Sequence, residues 1–505
     1  MSVSPVEHCA GEADAALKVV VCWHMHQPDY RDPDTGEFLQ PWVYLHTIKD
    51  YVDMAYHLEQ APAAKAVVNF SSILLEQLDV YANALRNTGF NEVLPDPLLE
   101  VLRGHFPEGA TQREAVVRAC MRANEERIVQ RFDAYRALLE YAQVALSIED
   151  GARFLSDQFL RELVIWYHLG WMGESVRRTD LRVARLSEKA RQFDIADAHA
   201  LLALIAELTC GVVERYRRLS IAGQIELSIT PGAHPMFPML IDFDAARESR
   251  ADLPIPTAAY PGGVERSYVH ITEGARHFAK AFGEDAVGCW PSEGGVSDAT
   301  LRLLSDVGFV WAASGETVLH NSLHALGRTN TADDLNRPYR FDDDGPVCFF
   351  RNDHLSDLIG FTFAQWHGDD AAGHVIETLG QLRASLAEPR EHVVAIVLDG
   401  ENAWEHYPDN GAHFLRAFYD SLVATPWLNL TTFAGACDAG SAIRTLPSVV
   451  AGSWVYGAFD TWVGHPDKNR GWELLTDAKR ALDEALPGLS ASQAERALAQ
   501  LSVCE

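Results

Sequence analysis

The stretch VVAIVLDGENAWEHYPDNG, residues 393–411, turns abruptly from an unbroken apolar run into a cluster of acids and aromatics. Val393 to Val397 are all apolar and four of the five are β-branched, the pattern of a strand covered on both faces, as in parallel sheets. Asp399 stands at its exit. In a barrel of parallel strands the loops after the carboxyl ends carry the chemistry, so Asp399, Glu401, Trp404 and Glu405 occupy catalytic positions. A second such place precedes it. The short run AVGCW, residues 286–290, is followed by PSEGG, which puts Glu293 just past a strand end and beside Trp290. Glycoside cleavage needs one carboxylate to attack or to activate water and one acid to protonate the leaving oxygen. The sugar ring also needs a flat apolar face. Two carboxyl groups at two strand exits, each with a tryptophan beside it, therefore point to a sugar site.

Length and composition set the frame. A chain of 505 residues fits a large α/β barrel with additions, or two to three smaller domains. Its 12 tryptophans and 22 phenylalanines supply enough aromatic surface for a carbohydrate cleft. A net charge of −29 argues against nucleic acid or an anionic membrane as partner and leaves a neutral polymer open. The eight cysteines show no CxxC pair and several lie in apolar runs, which suggests reduced, buried thiols and a cytoplasmic protein. The N-terminus MSVSPVEHCAGEADAA shows no secretory signal, and no apolar run approaches the roughly 20 residues that span a bilayer.

Along the chain, LKVVVCW at 17–23 is the first strand and places His24, His26 and Gln27 at its exit. The HxH pattern allows a metal pair on one strand face or a polar sugar-binding rim. No third ligand at convincing spacing is in view, so no metal or other cofactor is expected. Residues 97–220 are long helical tracts, an insertion expected to wall one side of the cleft. In QIELSI, residues 224–229, Glu226 is mid-strand, and His234 follows in the exit loop. Burying a carboxylate is costly, which favours a place for Glu226 lining the site. Further candidates for the rim are Asp353, His354 and Trp366. Residues 447–471 are too polar for core and too aromatic for a linker, which suggests a loop closing over the cleft and adds Trp462 and His465. Seven exits (Trp23, Phe70, Thr230, Trp290, Ala313, Arg351, Leu398) fit a barrel of seven strands and helices. The resulting domain plan is 1–96 as the first part of the barrel, 97–220 as insertion, 221–436 as the rest of the barrel, and 437–505 as an aromatic loop with a helical C-terminal region.

Five motifs occur in order: HMHQP at 24–28, GQIELSITPGAHP at 223–235, CWPSEGGVSD at 289–298, IVLDGENAWEHY at 396–407 and TWVGHPDKNRGW at 461–472. Together they resemble the signature regions of glycoside hydrolase family 57, over nearly the whole chain. The resemblance implies a distorted (β/α)7 barrel with helical additions, an α-glucan or maltooligosaccharide substrate, Glu293 as nucleophile and Asp399 as acid/base. It also implies retention by double displacement, with no cofactor. Glu401 beside Asp399 is a candidate for keeping a proton on it by like-charge repulsion. The motif spellings are closest to the α-amylase and amylopullulanase branch, whose members usually continue into a tryptophan-rich segment where this chain has Cys504 and Glu505. The nearest rival is a 4-α-glucanotransferase using the same carboxylates. More distant are a metal-dependent deacetylase or mannosidase using His24 and His26, and a non-catalytic glycan-binding protein. Linkage preference, chain length and oligomeric state are not legible.

Overall fold

A computed structural model describes residues 16–86, 94, 96–328, 330–438 and 442–505. The N-terminal stretch read for a secretory signal, residues 1–15 with Cys9, lies outside the described residues. Among the described residues ten strands form one sheet: β1 (Leu17–Met25), β2 (Ala66–Ser71), β3 (Ile225–Thr230), β4 (Gly288–Cys289), β5 (Trp311–Ser314), β6 (Tyr339–Phe341), β7 (Val347–Phe350), β8 (Val393–Asp399), β9 (Leu428–Leu430) and β10 (Arg444–Leu446). Their order is β10-β6-β7-β5-β4-β3-β2-β1-β8, with β9 also on β1. Every pairing is parallel except β6 with β7.

The two ends of this sheet meet. Arg351, just past β7, bridges in parallel to Ala395 of β8. The Asn352 N–H donates to the Ala395 carbonyl at 2.7 Å, and Arg351 Nε donates to the Val397 carbonyl at 2.9 Å. The strands β8, β1, β2, β3, β4, β5 and β7 thus curl into a seven-stranded ring closed at one seam, a distorted (β/α)7 barrel. Each of the seven anticipated exits falls within two residues of the end of one of these strands. The strands β6, β9 and β10 lie outside the ring.

Side-chain alternation explains why β8 is apolar without interruption. Val394, Ile396 and Leu398 pack outward under the helices, as do Val19, Val21 and Trp23 of β1. Val393, Ala395 and Val397 face inward with Val20, Cys22, Trp311 and Phe349, and Phe433 enters the same interior cluster. Both faces are covered, so neither needs polar residues. At the carboxyl ends the inward positions turn polar, and Asp399, His24, Asn69 and Ser228 are register neighbours there on β8, β1, β2 and β3.

Between β2 and β3 the chain runs through helices that end with Ile195–Ile221. Against the sequence reading, this helix of 27 residues is long and apolar enough to cross a bilayer. Here it packs along the helices Ser72–Arg86 and Pro97–Arg103, burying Leu201, Leu204, Ile205, Val212 and Tyr216, as the core helix of an insertion does. The described cysteines are free thiols.

Candidate active site

Glu293 is held in an uncommon way. It sits in the left-handed region at φ 56°, ψ 24°, a conformation that costs a non-glycine residue of order 1 kcal/mol and persists only where neighbours enforce it. Those neighbours come from the aromatic stretch near the C-terminus. Gly452 bridges to Val296, and the Trp454 backbone N–H donates to the Glu293 carbonyl at 3.0 Å. The Trp454 indole Nε1 donates to Glu293 Oε2 at 2.9 Å. Behind it, the Arg351 guanidinium stands 5.5 Å from the Trp454 ring centroid, fixed in turn by Asp353 at 2.7 Å and Asp357 at 2.6 Å. Burial raises the Glu293 pKa, the indole bond opposes it, and the charge of Asp399 raises it further. Glu293 and Asp399 therefore share one electrostatic environment.

Trp454→Phe tests this hold. A hydrogen bond to a charged group contributes about 1.5 to 3 kcal/mol, so kcat is expected to fall about 10- to 100-fold. The nucleophile role expected for Glu293 requires it ionised, and the indole hydrogen bond is what lowers its pKa. Losing it should move the acidic limb of the kcat/KM profile to higher pH. A fall in kcat with an unmoved limb would reduce Trp454 to packing.

Asp399 is half-buried at the end of β8, with Asn402 Nδ2 donating to its Oδ2 at 2.8 Å. Beside it His24, His26 and His234 form a compact group, with the rings of His26 and His234 stacked at 4.0 Å and those of His24 and His26 at 5.6 Å. His234 is also left-handed, at φ 74°, and its Nε2 lies 3.9 Å from Glu293 Oε1. Burial pushes all three imidazoles down, His234 to about 3, so they are neutral. The spacing of HxH left the third ring out of view, because His234 joins through the loop after β3. One ring nitrogen from each histidine lies within 4.8 Å of the other two, a set able to hold a metal ion.

Glu401 lies nearly buried next to this group, and its Oε1 accepts from the His26 N–H at 3.2 Å and from Gln27 Nε2 at 3.1 Å. Burial first, then the charge of Asp399, drives its pKa well above the carboxylate range. The like-charge repulsion anticipated between the two carboxyls thus bears on Glu401.

Other expectations need correction. Trp290 is fully buried, edge-on to Trp454 at 5.2 Å, and Trp404 is 1% exposed, packed on Trp23 and donating to the Gly400 carbonyl at 2.8 Å. Neither offers a face to a sugar; each fills the barrel mouth. Glu226 does point into the barrel, but from the second position of β3, about 13 Å below the exit at strand rise. There it accepts from Trp311 Nε1 and, at 2.9 Å, from the Ala434 N–H. Glu226→Ala would strand both donors and should cost about 2 to 4 kcal/mol in thermal unfolding, with KM for maltoheptaose unchanged. A raised KM at unchanged Tm would return Glu226 to the site. His465 caps the helix Pro466–Ala485 with an exposed side chain, and Trp462 packs in a satellite cluster with Phe459 and Val463. Trp366 packs on Phe363 and His374, and His354 is exposed on the short helix after β7. The Asp353 carboxylate pairs with Arg351, which stands against Trp454.

A groove of about 530 Å³ leads from the mouth, where His26, Gln27 and Glu401 line it, to the helical insertion, where Arg122, Asn124 and Trp171 do. Trp42 and Trp171 stand 5.5 Å apart along it. Sequence reasoning missed Trp42, Trp171, Trp454 and Arg351. The position of Trp42 soon after HMHQP was the available signal, as was the placing of Trp454 in the aromatic stretch.

The family model for glycosyl hydrolase family 57 matches residues 20–441. The chain belongs to that family. No curated protein sequence matches it. Among solved structures of the same fold, it is similar to a family 57 branching enzyme from the hyperthermophilic archaeon Pyrococcus horikoshii (TM-score 0.57, 14% identity, 96% of this chain and 84% of that chain). It is similar also to the α-amylase AmyC from Thermotoga maritima (TM-score 0.54, 13% identity, 96% and 87%). A third is the 4-α-glucanotransferase from Thermococcus litoralis (TM-score 0.52, 14% identity, 96% and 55%). At these identities the likeness is one of fold. Family 57 membership accounts for the seven-stranded ring and for the ordered motifs around it.

Proposed function

We propose that this protein is a retaining glycoside hydrolase acting on α-glucans of the starch, glycogen and maltodextrin type, at α-1,4 and in some contexts α-1,6 bonds. The observation that carries this is the Glu293 carboxyl, fixed by Trp454 and lying in the field of Asp399 at the polar end of the barrel. Glu293 attacks the anomeric carbon while Asp399 gives its proton to the departing oxygen. Asp399 then takes a proton from the water that releases the covalent glycosyl-enzyme. Neutral His24, His26 and His234 offer acceptor nitrogens to sugar hydroxyls without competing for the carboxylates. In the groove the half-buried Trp42 supplies aromatic surface along which further glucose units lie, with the buried Trp171 packed behind it.

Transfer to a sugar hydroxyl uses the same two carboxylates, and the structural likeness to a glucanotransferase and a branching enzyme makes it the reading to test against. Product profiling on maltoheptaose and pullulan separates them. Shorter oligosaccharides and new reducing ends mean hydrolysis; products longer than maltoheptaose mean transfer; branched products mean α-1,6 transfer; cleavage of pullulan adds the α-1,6 bond. No change in either substrate would overturn the proposal.

A further inference from the structure

We infer that the His24, His26 and His234 imidazoles also form a binding site for one borderline divalent transition-metal ion such as Zn²⁺, Co²⁺ or Cu²⁺, and that this ion and a sugar ring exclude one another. The hydrogen bonds behind the rings set their donor nitrogens. Asn69 Nδ2 donates to Ser228 Oγ at 3.0 Å, which orients the amide so that its Oδ1 faces His24 Nδ1 at 2.7 Å. His24 Nδ1 therefore carries the proton and its Nε2 the lone pair. Ser71 Oγ, 2.9 Å from His26 Nδ1, can accept in the same way and free that Nε2. His234 Nε2 is buried with no hydrogen-bond partner, 3.9 Å from Glu293 Oε1. A ring nitrogen from each of the three lies within 4.8 Å of the others. Tetrahedral ligands at 2.0–2.1 Å would be about 3.4 Å apart, so ring shifts on the order of 1 Å complete the site, with Glu293 as a neighbouring carboxylate. Oxygen acceptors behind the ligating imidazoles are what metal sites use to orient them. An all-imidazole set favours Zn²⁺, Co²⁺, Ni²⁺ and Cu²⁺ over Mg²⁺ and Ca²⁺.

Binding of the ion stands on the histidine geometry alone; inhibition by it rests on the proposed role of Glu293. Co²⁺ titrated into the chelator-treated protein should develop visible ligand-field absorption saturating at about one ion per chain. Zn²⁺ should abolish the band and Mg²⁺ or Ca²⁺ leave it. His234→Gln should weaken Co²⁺ binding at least about tenfold. As a measurement independent of any variant, Cu²⁺ bound to the wild-type protein should show imidazole nitrogen hyperfine structure in its EPR spectrum, and maltoheptaose should displace the ion. Zn²⁺ should then inhibit glucan cleavage competitively. Absence of stoichiometric binding, or binding unchanged in a folded His234→Gln protein, overturns the site. Binding that maltoheptaose does not displace overturns the exclusion. Loss of the proposed hydrolase activity with Co²⁺ binding intact would instead sink the functional reading and leave the metal site standing.

Discussion

Replacing Glu293 by Gln is expected to lower kcat for α-glucan cleavage by about 10⁴-fold or more, the scale on which loss of a covalent nucleophile acts. Gln keeps the volume and can still receive the Trp454 indole N–H through its carbonyl oxygen, so the left-handed turn at residue 293 survives and maltooligosaccharide affinity changes little. Calorimetric binding with turnover measured in parallel would show this split. Retention of more than about a tenth of the activity would remove Glu293 as nucleophile. Unchanged glycan binding is expected under the hydrolase reading, so only turnover separates it from a non-catalytic glycan-binding protein.

Asp399→Asn is the second large effect. General acid–base catalysis contributes about 10² to 10⁴-fold, and the loss should depend on what leaves. With a natural glucan, where the departing alkoxide needs a proton, both steps slow. With an aryl maltoside bearing an acidic phenol, the first step needs little help while release by water still lacks its base. The glycosyl-enzyme should then accumulate, seen as a burst of phenol close to one equivalent. A uniform loss for both substrates, with no burst, would mean that Asp399 does not transfer the proton. Because Asn402 donates to Asp399 Oδ2 at 2.8 Å, the Asn variant can keep that contact by presenting its amide oxygen.

The legible parts of the site were those on strands or directly past a strand end. Asp399 and His24 could be placed because an apolar run ends one residue before each, and the register of β1 on β8 sets them side by side. Glu226 misled for the same reason that Asp399 did not. Both are inward-facing strand carboxylates, and alternation does not tell which end of a barrel a residue occupies once the strand is short. Trp290 and Trp404 misled because an aromatic beside an acid looks the same whether it meets sugar or core. Trp404 is closed off by Tyr407 and Phe414 and Trp290 by Trp454, none of which is obliged by spacing to be there.

The amino-acid order alone determined the period-2 strands, their apolar covering, the seven exits and the two carboxylates at two of them, because burial on both faces leaves a local signature. Only the tertiary structure decided what surrounds those carboxylates. Trp454 lies 161 residues from Glu293 in sequence and His234 lies 208 from His26, yet each pair is in contact once the barrel curls. Such contacts depend on where loops land after the ring closes at the Arg351–Ala395 seam, and no periodicity within a strand or helix encodes that.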